Sequence, residues 1–246
     1  MFGLTNIQLL LLAAAAVIIG FGKTGITGAT LPAVAIVAYI FGGKLSSGVM
    51  LTALIFADIP ALYHYRKHGK LKDVLRLLPP AVAGIILGTV IGSYLNDTYF
   101  KFLMGLIVIA CAALLLYREA SKKELQVPQN RWLHILVGIM AGFSTMVGNA
   151  AGPVMSVYLL SLSYDRQRFL GTAAWFFFFV NLIKVPFHVF IWETISWETV
   201  RYTFLMIPFI LLGAMIGVFF IKRINEQVFK KLVIAATIVA ALRLMI

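Results

Sequence analysis

Twice in this chain a run of glycine and other small residues interrupts an apolar stretch of membrane-spanning character. The first run is Gly20-Phe-Gly-Lys-Thr-Gly-Ile-Thr-Gly-Ala-Thr-Leu-Pro32 and the second is Gly142-Phe-Ser-Thr-Met-Val-Gly-Asn-Ala-Ala-Gly-Pro153. A helix broken at membrane depth frees backbone N–H and C=O groups that lipid cannot satisfy. Such a break survives only where it is buried in protein or lines a watery cavity. Breaks at corresponding places in two halves of one chain point to the binding site of a transporter.

The bilayer assignment rests on composition. Of 246 residues, 61% are hydrophobic and 12% charged, too apolar for a soluble domain of this length. The first apolar segment lacks a basic leader and a small-residue cleavage site, so it is expected to belong to the mature fold. The single cysteine, Cys111, excludes a disulfide within the chain and a cysteine-based metal site, and reads as a small buried hydrophobe. No cofactor is expected. The net charge of +12 does not indicate nucleic acid, because most of the 21 Lys and Arg fall in four clusters between apolar segments. These are Arg66 to Arg76, Arg118 to Arg131, Arg166 with Arg168, and Lys222 to Lys231. The positive-inside rule assigns all four to the cytoplasmic side of a cell membrane.

A spanning helix needs about 20 apolar residues. Segments 44–63, 75–95, 99–117, 169–192, 200–221 and 228–246 meet that requirement. Stretches 7–41 and 133–162 each carry one of the breaks, and a re-entrant hairpin or two short helices would fit either. Placing the four basic clusters on one side makes each interrupted stretch return to the side it entered from. Both termini are then expected outside, with the first break reached from outside and the second from inside. The expected fold is an all-α, polytopic membrane protein. It divides into a first repeat over 1–118, a cytoplasmic linker over 119–131 and a second repeat over 132–246.

The repeats show in the residues themselves. Gly88-Thr-Val-Ile-Gly92 matches Gly213-Ala-Met-Ile-Gly217, and Leu95-Asn-Asp-Thr-Tyr-Phe-Lys-Phe-Leu103 matches Ile224-Asn-Glu-Gln-Val-Phe-Lys-Lys-Leu232. An odd number of crossings separates the copies, so the repeats are expected to be inverted, each with an interrupted pair and three spanning helices. The breaks would then meet near the midplane. The G-x-x-x-G pairs read as close helix packing.

The first break with Pro32, the second with Gly152-Pro153, and the Tyr65-Arg-Lys-His-Gly-Lys-Leu-Lys-Asp73 loop resemble the TauE/SafE family of membrane transporters. The resemblance covers nearly the whole chain. It implies a cytoplasmic-membrane exporter of sulfite, sulfonates or related small sulfur-containing anions. The sequence departs from the glycine-richest form of the family motif at Lys23 and Asn149.

The residues support an anion site independently. A half-helix that begins inside the membrane presents free N–H groups at its positive end. Gly22, Gly25 and Gly28 allow close backbone approach, while Thr24, Thr27, Thr30, Ser144, Thr145 and Asn149 add polar groups beside Gly148. Lys23 would pair with an anion in the first break or snorkel outward. Lys184 lies too deep for easy escape to water and is assigned to a cavity. Aligning Gly48 with Gly171 sets Asp58 opposite Asn181. Asp58 would bind a coupling proton, pair with Lys23 or Lys184, or make a structural hydrogen bond. His188, one turn beyond Lys184, is a second coupling candidate beside its reading as a structural histidine. The expected partners are a small anion and lipid, not nucleic acid; self-association stays open.

Two nucleotide motifs fail on context. Gly20-Phe-Gly-Lys-Thr-Gly25 follows no strand, and Val17 stands where a P-loop needs glycine. The leading expectation is therefore a secondary transporter, not an enzyme, whose repeats rock about a central anion site. An anion channel of the same fold is the alternative. An intramembrane hydrolase using Ser144 and His188 is a weaker one, since no third group is apparent to orient the histidine.

Overall fold

The computed structural model describes residues 3–25, 29–120, 131–162 and 164–220. The described chain is helical: α1 (Asn6–Thr24), α2 (Leu31–Phe41), α3 (Gly43–Tyr65), α4 (Leu71–Tyr94), α5 (Asp97–Ala120), α6 (Arg131–Gly148), α7 (Gly152–Ser161), α8 (Arg166–Phe190) and α9 (Trp197–Phe220). Seven of these, all but α2 and α7, are long and apolar enough to cross a bilayer. The expected span at 228–246 lies outside the described residues, as do Thr27, Gly28 and most of the linker.

Local chemistry sets the ends. Thr5 and Gln8 form a capping box at the start of α1. Pro32 sits in the first turn of α2, where a missing N–H removes nothing the helix would use. Between α2 and α3 the chain turns at Gly42 with φ of +87°, a conformation that favours glycine. The N–H groups of Gly43 and Lys44 that this turn exposes donate to Asp97 Oδ1 at 2.9 and 3.2 Å, so α5 supplies the cap of α3.

Both interrupted stretches become a long arm that turns back through a short one: α1 then α2, and α6 then α7. Among the described residues the long arms make the most extensive helix packing, α1 on α9 and α6 on α4. Each interface is closed by glycine. A Cβ on Gly20 would run into the Ile210 carbonyl, and one on Gly213 into that of Val17. On the other pair, a Cβ on Gly142 would meet the Ala81 carbonyl and one on Gly84 that of Ile139. Gly217 against Thr24 has its counterpart in Gly88 against Met146. These contacts correct the register read from sequence. Gly84 and Gly88, not Gly88 and Gly92, occupy the places that Gly213 and Gly217 hold, one helical turn earlier. Pro79 then falls opposite Pro208, and the offset agrees with that of the Leu95 and Ile224 segments. Gly92 instead packs beneath the Trp192 indole.

The contacts also fix directions. Val17 meets Gly213 and Phe21 meets Gly217, so α1 and α9 are parallel; Leu77 meets Gly138 and Ala81 meets Gly142, so α4 and α6 are parallel. Asp58 meets Asn181 and Tyr65 meets Gly171, which makes α3 antiparallel to α8. Lys70 bonds Thr172 while Trp192 bonds Thr89, so α4 runs with α8. The end of α9 returns to the start of α8 through Thr24 and Tyr65. Hence α1 and α6 run in opposite directions. The described basic groups from Arg66 to Arg76, with Arg131 and Arg168, gather at one end of the bundle. At that end Tyr164 donates to the Asp73 carboxylate, tying the end of α7 to α4. Burial, and then the Asp73 carboxylate, push the Tyr164 phenol up from its ordinary range. The flanks expose Ile86, Val90, Phe102, Leu106, Leu211 and Met215, apolar surface suited to lipid.

Gly20→Ala and Gly142→Ala are each expected to destabilise by about 1–3 kcal/mol, because the added methyl meets a backbone carbonyl that cannot move alone. Gly148→Ala, whose Cβ would find its nearest neighbours at 3.7 Å, should change stability by less than about 0.5 kcal/mol. Apparent melting temperatures of the three purified variants in detergent check the contrast.

Candidate functional site

Each break delivers polar groups to the centre of the bundle. α1 closes at Gly25, whose N–H donates to the Phe21 carbonyl at 2.8 Å, and this leaves Lys23 in the last turn. α6 ends with Asn149 in the left-handed region at φ of +49°. There Asn149 N–H donates to Thr145 O at 3.1 Å, the single bond of an αL cap, and Ala150 N–H donates to Ser144 O at 3.2 Å. Asparagine tolerates this conformation better than most side chains, and unlike glycine it carries an amide into the site.

Two side-chain clusters form around these residues. In the first, Lys23 Nζ lies 2.7 Å from Asp58 Oδ1, and Asn181 Nδ2 donates to Asp58 Oδ2 at 2.7 Å. The Phe177 ring sits under the Lys23 ammonium with its centroid at 4.5 Å. Asp58 is fully buried and Lys23 nearly so; the two pair with each other, and Lys23 does not reach outward. In the second cluster the fully buried Lys184 donates to Asn149 Oδ1 at 2.6 Å and to Thr145 Oγ1 at 3.3 Å. Asn149 Nδ2 then reaches Ser47 O and Oγ, both at 3.2 Å, and Ser47 Oγ donates to the Met146 carbonyl at 3.2 Å.

The clusters share one cavity of about 30 Å3, bordered by Lys23, Thr30, Thr145, Asn149, Gly152 and Asn181. Thr30 is the residue before α2 and Gly152 the first residue of α7, so both short helices begin at the cavity wall. The volume is enough for one or two water molecules, and the polar lining suits them.

The remaining expected residues are placed differently. Thr24 Oγ1 donates to Gly20 O at 3.1 Å and Ala214 O at 3.0 Å, and its carbonyl accepts from Tyr65 OH at 2.9 Å; it stitches α1 to α9 and α3. Ser144 is buried in the wall of α6 and Gly148 is the last residue of that helix; neither borders the cavity. His188 lies outside it too, with Nδ1 2.7 Å from Thr194 Oγ1. Its Nε2 has no hydrogen-bond partner among the described residues, so it does not reach Ser144. Three participants were not singled out from sequence. Ser47 announced itself only as half of a serine pair in an apolar span, and Phe177 is indistinguishable within Phe176-Phe-Phe-Phe179. Cys111, read as a plain hydrophobe, donates Sγ–H to the Ala150 carbonyl at 3.2 Å and so supports the second break.

Two broken helix pairs enclosing a charged, polar cavity within an apolar bundle define a polytopic membrane protein of the transporter class. The chain belongs to the TauE/SafE family: the family model described as Sulfite exporter TauE/SafE matches residues 10–244, nearly its whole length. No curated protein matches it.

Removing either member of the buried Lys23–Asp58 pair leaves its partner's charge uncompensated. Lys23→Met and Asp58→Leu are therefore each expected to cost about 3–5 kcal/mol, and the double variant less than either single one. Thermal unfolding of the three proteins in detergent measures the coupling; additive losses would mean that the two charges act independently.

Proposed function

We propose that the protein is a secondary transporter that exports a small sulfur-containing anion, of the sulfite or organosulfonate class, by alternating access. The convergence of both breaks on one cavity that Lys23 borders, with Lys184 bonded to Thr145 and Asn149 in its wall, carries this reading. Two half-helix starts at Thr30 and Gly152 bring partial positive charge, Lys23 and Lys184 bring formal charge, and Asn149, Asn181 and Thr145 supply hydrogen-bonding groups. Family membership supports the substrate class.

The opposite directions of α1 and α6, together with matching glycine contacts in α1–α9 and α4–α6, support an inverted repeat. They also change which bodies move. Each glycine-closed pair takes one helix from each half, so the units that shift are α1 with α9 and α4 with α6, rather than one repeat against the other. The sliding surface is then α3 against α8 around Asp58 and Asn181, where side chains meet, with backbone against backbone at the Tyr65–Gly171 end. The positive-inside rule places the Arg66 to Arg76 end in the cytoplasm of a cell carrying the protein in its inner membrane, with the N-terminal end of α1 outside. At about 30 Å3 the cavity is too small for a polyatomic anion, so admitting one requires this movement.

Lys184→Ala and Lys23→Ala should each lower anion flux into proteoliposomes by roughly tenfold or more, while Lys67→Ala, on the exposed basic loop, should leave it within about twofold. Saturable flux with trans-stimulation is expected for the wild type. Equal flux in all three variants would remove the lysines from the site.

A further inference from the structure

The formal charges of the two clusters beside the cavity do not cancel. Among the described residues, the ionisable groups of the two clusters are Lys23, Asp58 and Lys184, with His188 one turn further along α8 and bonded to Thr194. Asp58 is matched by Lys23 at 2.7 Å. Lys184, fully buried, is met only by the neutral oxygens of Thr145 and Asn149. Two lysines against one carboxylate leave Lys184, in its ammonium form, as a single positive charge without a carboxylate partner among the described residues.

We infer that the site selects anions by charge, accepting one negative charge and rejecting two, and that Asp58 is the residue that sets this limit. The inference rests on the transport reading above and adds to it the charge state of the substrate. A monoanion brings the enclosed groups to neutrality. A dianion of the same shape leaves one negative charge away from water, and an unmatched charge in such a place is expensive. Asp58 imposes the limit by occupying the Lys23 ammonium, and Asn181 steadies it in that role by donating to the other carboxylate oxygen at 2.7 Å. The favoured class is therefore sulfonates and hydrogen sulfite, in preference to sulfate and thiosulfate. The filter works by an element set against the wrong ligand as well as by attraction for the right one.

Asp58→Asn tests the assignment. It keeps the side-chain shape, and the Asn181 carboxamide can turn to accept from the new amide, because its Oδ1 has no other hydrogen-bond partner among the described residues. The substitution releases Lys23 and raises the formal charge of the site by one.

Methanesulfonate and sulfate are the probes, being similar tetrahedra that differ by one charge at neutral pH. Saturable uptake of each is measured in proteoliposomes, with thiosulfate, sulfite and 2-hydroxyethanesulfonate run beside them. The wild type is expected to half-saturate with methanesulfonate at a concentration at least roughly tenfold below that for sulfate. Asp58→Asn should shift this ratio towards sulfate by about tenfold, and Lys184→Gln should weaken both anions. Equal or tighter half-saturation by sulfate in the wild type overturns the charge filter while leaving transport standing. An unchanged ratio in an active Asp58→Asn protein removes Asp58 from it. Should that variant not fold, the wild-type ratio alone decides the filter. Absence of saturable uptake for every anion tested overturns the transport reading and the filter together.

Discussion

A backbone amide inside hydrocarbon has no solvent to fall back on, and this constraint organises everything that surrounds the two breaks. Each polar group at a helix end must find its partner within the chain, and here side chains from other helices supply it. Tyr65 donates to the Thr24 carbonyl, Thr24 to that of Ala214, Asn149 to that of Ser47, Ser47 to that of Met146 and Cys111 to that of Ala150. Asp97 takes the free N–H groups at the start of α3. These bonds tie α1, α3, α5, α6 and α9 to the interrupted segments. The breaks hold the bundle together as much as the bundle protects them.

Such bonds need helices that lie close, and glycine provides the approach where backbone meets backbone in α1–α9 and α4–α6. Charge occupies the remaining interior space. A buried ion pair such as Lys23–Asp58 contributes little net stability compared with apolar residues of equal volume. Its presence at the junction of α1, α3 and α8 is therefore explained better by a task than by packing. Asp58 and Asn181, set opposite each other by aligning the halves, bond directly to each other.

The architecture was legible because apolar length is a one-dimensional property. Segments such as 99–117 and 169–192 fell within α5 and close to the bounds of α8. Asp58, Asn149, Asn181 and Lys184 were legible for a related reason: a polar side chain deep in an apolar run must have a partner, even when the sequence does not name it. What direction a side chain takes around its helix was not legible. Thr24 and Thr145 look equivalent as hydroxyls in the two breaks, yet one faces α9 and the other the cavity. The G-x-x-x-G register slipped by one turn because glycines four residues apart recur at Gly84, Gly88 and Gly92. Only the contacts with Val17 and Ile139 distinguish the alternatives.

The distribution of stiffness through the bundle bears on how a closed cavity can open. Interfaces in which a carbonyl fills the space a Cβ would take have no slack, since any slide drives backbone into backbone. At its centre the contact between α3 and α8 is of another kind, the Asp58 carboxylate on the Asn181 amide, while the same interface closes backbone to backbone where Gly171 meets the Tyr65 carbonyl. Hydrogen bonds of this sort exchange partners at little cost when an anion or water replaces them. The Asp58–Asn181 bond and the Lys184–Asn149 bond cross the same ground, so a ligand that engages Asn149 or Asn181 acts on the surface along which movement is easiest. In the transport mechanism proposed above, the side chains that would meet the anion are therefore the ones whose bonds join α3, α6 and α8, as coupling a solute to a conformational change requires.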